Sequence, residues 1–80
     1  MVLSMTLREA RERAELSQER LAAYAWVSVR TIRRIEQGLV VPNMSTRRAI
    51  VDALARRLRL PEGARLAIAW PAPARLRQAA

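Results

Sequence analysis

The chain has no cysteine, no histidine and no lysine. Without cysteine there can be no disulfide, and without cysteine or histidine the usual zinc sites are excluded. Thiols therefore say nothing about redox compartment. Aromatic residues are 4% of the chain, which does not suit an aromatic-lined ligand pocket. No apolar run approaches the ~20 residues that a membrane-spanning helix needs. Met1 to Leu7 is too short for a secretory signal, so the default expectation is an intracellular, cytoplasmic protein without membrane association. The sequence offers no nucleophile–base pair, no phosphate-cradling glycine loop and no metal-ligand set. It points to no enzyme, no cofactor and no metal.

What is present fits a single small domain. The chain has 80 residues, 51% of them apolar, and chains of this size bury a modest core. The apolar set leans on Ala, Leu and Val, as small, closely packed helices require. Fifteen basic residues, all Arg, stand against seven acidic ones, for a net charge of +8. A GC-rich genome accounts for Arg over Lys, but not for the net excess. Such a chain favours polyanions, nucleic acid first among them.

Helical signals follow in order. Met1 to Met5 reads as a loose lead-in. Thr6-Leu7-Arg8-Glu9 has the form of a capping box, opening a first helix from Leu7 to about Ala14. Leu7, Ala10 and Ala14 give that helix an inward face. Its Glu9 and Glu12 read as ordinary solvated carboxylates. A second helix runs from Ser17 or Gln18 to Ala25, with Leu21, Ala22 and Ala25 inward. Ala25-Trp26-Val27 forms a tight corner. A third helix spans Ser28 to Gln37, and Gly38 supplies a left-handed exit. Pro42 precedes a fourth helix, capped by Asn43 or Ser45 and running to about Leu58 with Ile50 and Leu54 inward. Pro61 and Glu62 resemble another helix start, so a fifth helix is expected over Pro61 to Ala69, with Leu66 inward. Trp70-Pro71-Ala72-Pro73 would end it.

The third helix carries the functional clue. At about 100° per residue, Ile32 and Ile35 define its inward face. Arg30, Arg33, Arg34 and Gln37 then lie opposite, flanked by Val29 and Thr31. A helix fits the DNA major groove, and Arg and Gln are residue types that read guanine and adenine edges there.

The segment L-S-Q-E-R-L-A followed by V-S-V-R-T-I-R-R-I-E-Q-G resembles the lambda-repressor/Cro-type helix-turn-helix, or XRE, family. The resemblance extends outward to L-R-E-A-R before it and P-N-M-S-T after it, over about residues 6 to 60. It implies an all-α fold: a compact, five-helix, lambda-repressor-like DNA-binding domain over residues 1–69, with 70–80 as a C-terminal tail. It also implies that the helix from Ser28 reads the major groove near its N-terminus. Arg30 and Arg34 are the leading candidates for base contacts, then Arg33, with Thr31 beside them and Val29 placed to meet a thymine methyl. Ser17, Gln18, Ser28, Gln37, Asn43, Arg47 and Arg48 are candidates for the DNA backbone. Gln18 would reach a phosphate or a side chain of the reading helix. The family's pattern pairs Arg11 with Glu36 in a structural salt bridge.

Two positions depart from the family. Gly is usual where this chain has Trp26, which would cover the core edge, touch DNA or anchor a partner; packing against Tyr24 or the first helix is the favoured reading. The loop Leu39-Val40-Val41 is apolar where the family is polar or basic. With Leu66 and Trp70 it forms a candidate interface. The expected partner is double-stranded DNA, as an inverted repeat bound by a homodimer. An alternative is an antitoxin or accessory subunit working through a protein partner. A non-specific nucleic-acid packager is a third reading.

Overall fold

The structure is a computed structural model, and it describes residues 1–71. Its elements run β1 (Val2–Thr6), α1 (Leu7–Arg13), α2 (Gln18–Ala25), α3 (Val29–Glu36), α4 (Met44–Leu58) and β2 (Arg65–Ala69). Four helices and one strand pair make up the described fold.

Each helix begins where a side-chain oxygen meets a free amide. Thr6 accepts from the Glu9 N–H at 3.1 Å, and Glu9 accepts from the Thr6 N–H at 3.1 Å. This completes the capping box. Ser17 accepts from Arg20 at 3.0 Å, Ser28 from Thr31 at 3.1 Å and Asn43 from Thr46 at 2.9 Å. Asn43, rather than Ser45, therefore caps α4. The ends are equally regular. Glu15, Trp26 and Gly38 follow α1, α2 and α3 with φ of 57°, 59° and 75°. In each case the next amide reaches back into the helix: Leu16 to Arg11, Val27 to Ala22 and Leu39 to Arg34. Only Gly38 makes this turn without steric cost.

The core is built by α2, α3 and α4. Leu21, Ile32, Ile50 and Leu54 are its largest fully buried side chains, each worth about 1.5–3 kcal/mol of transfer free energy. Ala10, Ala22 and Ala25 are buried as well. Their small side chains let the helices approach closely. Leu7, Ala10 and Ala14 bring α1 onto this core.

The expected all-α, five-helix architecture needs correction at both ends. Val2–Thr6 is a strand rather than a loose lead-in, and Arg65–Ala69 is a strand rather than the end of a fifth helix. The two pair in parallel, Val2 opposite Arg65 through Thr6 opposite Ala69. The physical reasons are local and long-range. Gly63 takes φ +81°, which a right-handed helix cannot continue through, and the Ala64 N–H closes a turn onto the Pro61 carbonyl at 3.0 Å. Beyond it Leu66 and Ile68, two apart, both face inward, beside Leu3 and Met5 of β1. Inward spacing of two is a strand period. The expected C-terminal tail at 70–80 begins with Trp70, which packs partly against the core; its residues 72–80 lie outside the described residues.

Candidate nucleic-acid interface

The candidate interface lies where α1, α2 and α3 meet. Glu36 is nearly enclosed, and its carboxylate is the node. Arg11 donates to it twice, from Nε to Oε2 at 2.6 Å and from the second guanidinium nitrogen to Oε1 at 3.1 Å. A third Arg11 N–H donates to the Leu16 carbonyl at 3.0 Å. Gln18 Nε2 donates to the same Glu36 Oε1 at 3.1 Å. Bidentate Arg–carboxylate pairs of this kind fix orientation as well as distance. Hydrogen bonding to Glu36 raises the Arg11 pKa above its ordinary value, so the guanidinium stays charged. One acidic residue thus holds α1, α2 and α3 together and sets the angle at which α3 is presented.

The arginines of α3 divide in two. Arg33 is tied down: it donates to Glu19 at 2.9 Å and to Gln18 Oε1 at 3.3 Å. Glu19's carboxyl is lowered from its ordinary pKa, first by a hydrogen bond from its own backbone amide and then by Arg33. Arg30 and Arg34 form no hydrogen bond or ion pair among the described residues. Arg30 is exposed and Arg34 partly so. These two guanidiniums are available to an external acceptor. Thr31 is partly buried and shares a 2.9 Å hydrogen bond with Ser28. Val29 is partly buried against the core, so only part of it faces out.

Ser28, proposed for the DNA backbone, is used as the cap of α3, and the other positions proposed for it fall in two groups. Ser17, Gln18 and Gln37 line one hollow with Arg8, Arg11, Arg33 and Glu36. It lies at the N-terminus of α2, where free N–H groups and the helix dipole favour an anion. Arg8 was not among the sequence candidates. Its signal was position alone, at the second residue of α1, with only a long exposed pair to Glu12 at 3.7 Å. Glu19 was also missed as the partner of Arg33. The second group sits at the start of α4. Asn43 is used as a cap. Arg47 donates to the Pro42 carbonyl at 2.9 Å and lies 5.9 Å from the Trp70 ring centroid, a cation–π distance. Arg48 is exposed and has no such partner among the described residues.

The candidate interface residues also divide. Leu39 is 63% exposed and Val41 37%, with Met44 beside them in sequence at 70%. Val40, Leu66 and Trp70 instead pack partly against the core. Trp26 is 95% exposed. The expected packing against Tyr24 or the first helix is therefore wrong. A left-handed residue at the helix end turns its side chain outward, and the corner leaves the ring almost wholly in solvent. Among the described residues no helix is long and apolar enough to cross a membrane.

A family model described as helix-turn-helix matches residues 7–60. That span runs from the first residue of α1 past the end of α4. No curated protein and no solved structure matches the chain significantly.

Proposed function

The chain belongs to the XRE, or lambda-repressor, type of helix-turn-helix family, and from that premise we propose that it is a transcriptional regulator that reads double-stranded DNA sequence-specifically through α3. The observation that carries the reading is the division of the α3 arginines. A helix that is buried by Ile32 and Ile35 and clamped by Glu36 offers Arg30 and Arg34 unpaired, at the positions where this motif meets base edges. Arg8, Ser17, Gln18 and Gln37 line the hollow that would receive a phosphate, with Arg48 and Asn43 taking a second further along the backbone. The dimer expected for an inverted repeat would use the exposed Leu39, Val41 and Met44. That same patch is the observation favouring the second reading, an antitoxin or accessory subunit that uses it for a protein partner.

Selection of the purified protein on a random duplex library tests the proposal. An enriched inverted repeat is the expected result. Retention of duplexes without enrichment would replace sequence reading by non-specific packaging. Once the site is known, Arg30→Ala should cost about 1–3 kcal/mol of binding and relax preference at one base position. Unchanged affinity and preference would remove Arg30 from the reading surface.

A further inference from the structure

Trp26 combines a left-handed backbone with a large apolar side chain left in solvent. Its backbone sits at φ 59°, ψ 38°, a conformation that glycine adopts freely and that costs an L-residue about 1–2 kcal/mol. Its indole is 95% exposed, so the strain is not offset by burial. Two residues earlier Tyr24 is 53% exposed. Between them and α4 lies a hollow of about 240 Å³ lined by Tyr24, Ala25, Trp26, Ala49, Ala53 and Arg56, with Asp52. A second hollow of about 320 Å³ adjoins it and shares Tyr24, Ala53 and Arg56. The floor is alanine, the walls are aromatic and the rim is basic. Arg56 makes no hydrogen bond or ion pair among the described residues. Arg57 lines the second hollow, and Arg13 and Arg59 border a third that also contains Arg56. Asp52 and Glu15 are the acids lining these hollows. No residue of α3 lines them.

We propose that this α2–α4 face is a protein-docking surface whose occupant is an acidic amphipathic helix of another protein. One apolar side chain of that helix enters between Tyr24 and Trp26, and its carboxylates meet Arg56 and the neighbouring arginines. Trp, Tyr and Arg are the residues that dominate protein interfaces. A groove between two helices suits a helical ligand with anchors on one face, and the arginine rim selects a partner of opposite charge. The surface works independently of how α3 treats DNA, and both can be occupied together.

The test uses the full chain as bait for displayed random peptides. Enriched peptides should carry Asp or Glu around Leu, Ile or Phe at helical spacing. Their binding should shift the tryptophan emission, a shift that Trp26→Gly removes and Trp70→Phe keeps, and should weaken about tenfold or more in Trp26→Gly and in Arg56→Glu. DNA retention should be unchanged in Trp26→Gly, a variant that relieves the backbone strain and so keeps the fold. Enrichment without acidic residues, or equal binding by Trp26→Gly, would overturn the proposal. So would a loss of DNA affinity in Trp26→Gly, which would make the indole a DNA contact. Self-association that Trp26→Gly abolishes would assign the face to a second copy instead.

Discussion

Replacing Glu36 by Ala should remove a large share of the protein's stability. The Glu36 side chain is 6% exposed and its Arg11 partner 13%, so both charges are largely withdrawn from water. Removing the carboxylate deletes two Arg11 bonds at 2.6 and 3.1 Å and the Gln18 bond at 3.1 Å. It leaves a guanidinium held only by the Leu16 carbonyl. Breaking one side of a fully buried pair costs about 3–5 kcal/mol, which is the upper range for this part-buried one. At roughly 0.05–0.15 kcal/mol per residue, a domain of this size has about 4–12 kcal/mol in all. The thermal midpoint should then fall by about 12–40 °C. Urea denaturation of Glu36→Ala and of the control Glu19→Ala separates this from a generic charge effect. Glu19 is 62% exposed against an Arg33 that is 50% exposed, so its loss should cost no more than about 1 kcal/mol. A double variant, Arg11→Met with Glu36→Leu, should recover most of the loss, because no buried charge is then left alone. A Glu36→Ala cost as small as that of Glu19→Ala would refute the claim that Glu36 is the node of the fold.

Trp26→Gly should act in the opposite direction. It removes about 1–2 kcal/mol of left-handed strain and adds about 0.5–1 kcal/mol of unfolded-chain entropy, for a net gain of about 0–1.5 kcal/mol by urea denaturation. A loss of stability would mean that the indole packs in solution. Ile68→Ala, in β2, should cost about 2 kcal/mol, and a neutral result would show that the strand pair adds nothing to the core. Stability should also fall on acidification. Glu9 and Glu19 are lowered from 4.5, Glu9 chiefly by the hydrogen bond from the Thr6 amide and Glu19 by its own amide. The folded state therefore binds fewer protons than the unfolded state. Their contribution is complete above the unfolded value of 4.5 and is lost as pH drops through the folded values. Melting curves at fixed ionic strength should decline only below that point, and a flat acid limb would contradict it.

The four helices were legible because each has a cap and an inward period in its own residues. Thr6, Ser17, Ser28 and Asn43 stand where free amides need an acceptor, and Ile32 with Ile35 orient α3 without help from the rest of the chain. The strand pair was not legible for the converse reason. Arg-Leu-Ala-Ile-Ala is too short for its period to be decided alone, and Pro61-Glu62 just before it imitates a helix start. Only its partner settles the matter, and that partner is at the other end of the chain. Alternation in Val2 to Thr6, with Leu3 and Met5 inward, was the signal available. At the candidate interface the motif pointed to the arginines of α3, but their inequality lay in Glu19 and Gln18, whose reach to Arg33 depends on how α2 crosses α3. The exposure of Trp26 likewise follows from the direction a left-handed residue points its side chain.

The pairing of Val2–Thr6 with Arg65–Ala69 also sets an order of events. Every helix-to-helix contact here joins segments nearer to one another along the chain than the two strands are. Closing the loop between the strands costs more entropy than closing any loop within it, though only logarithmically more. Separated partners of this kind meet late, after local contacts have shortened the path between them. The strand pair should therefore be largely absent from the rate-limiting step of folding. Weakening it speeds the escape of the native state and leaves the folding rate nearly untouched. The sheet acts as a latch on the lifetime of the domain, while the helices alone govern how fast it forms.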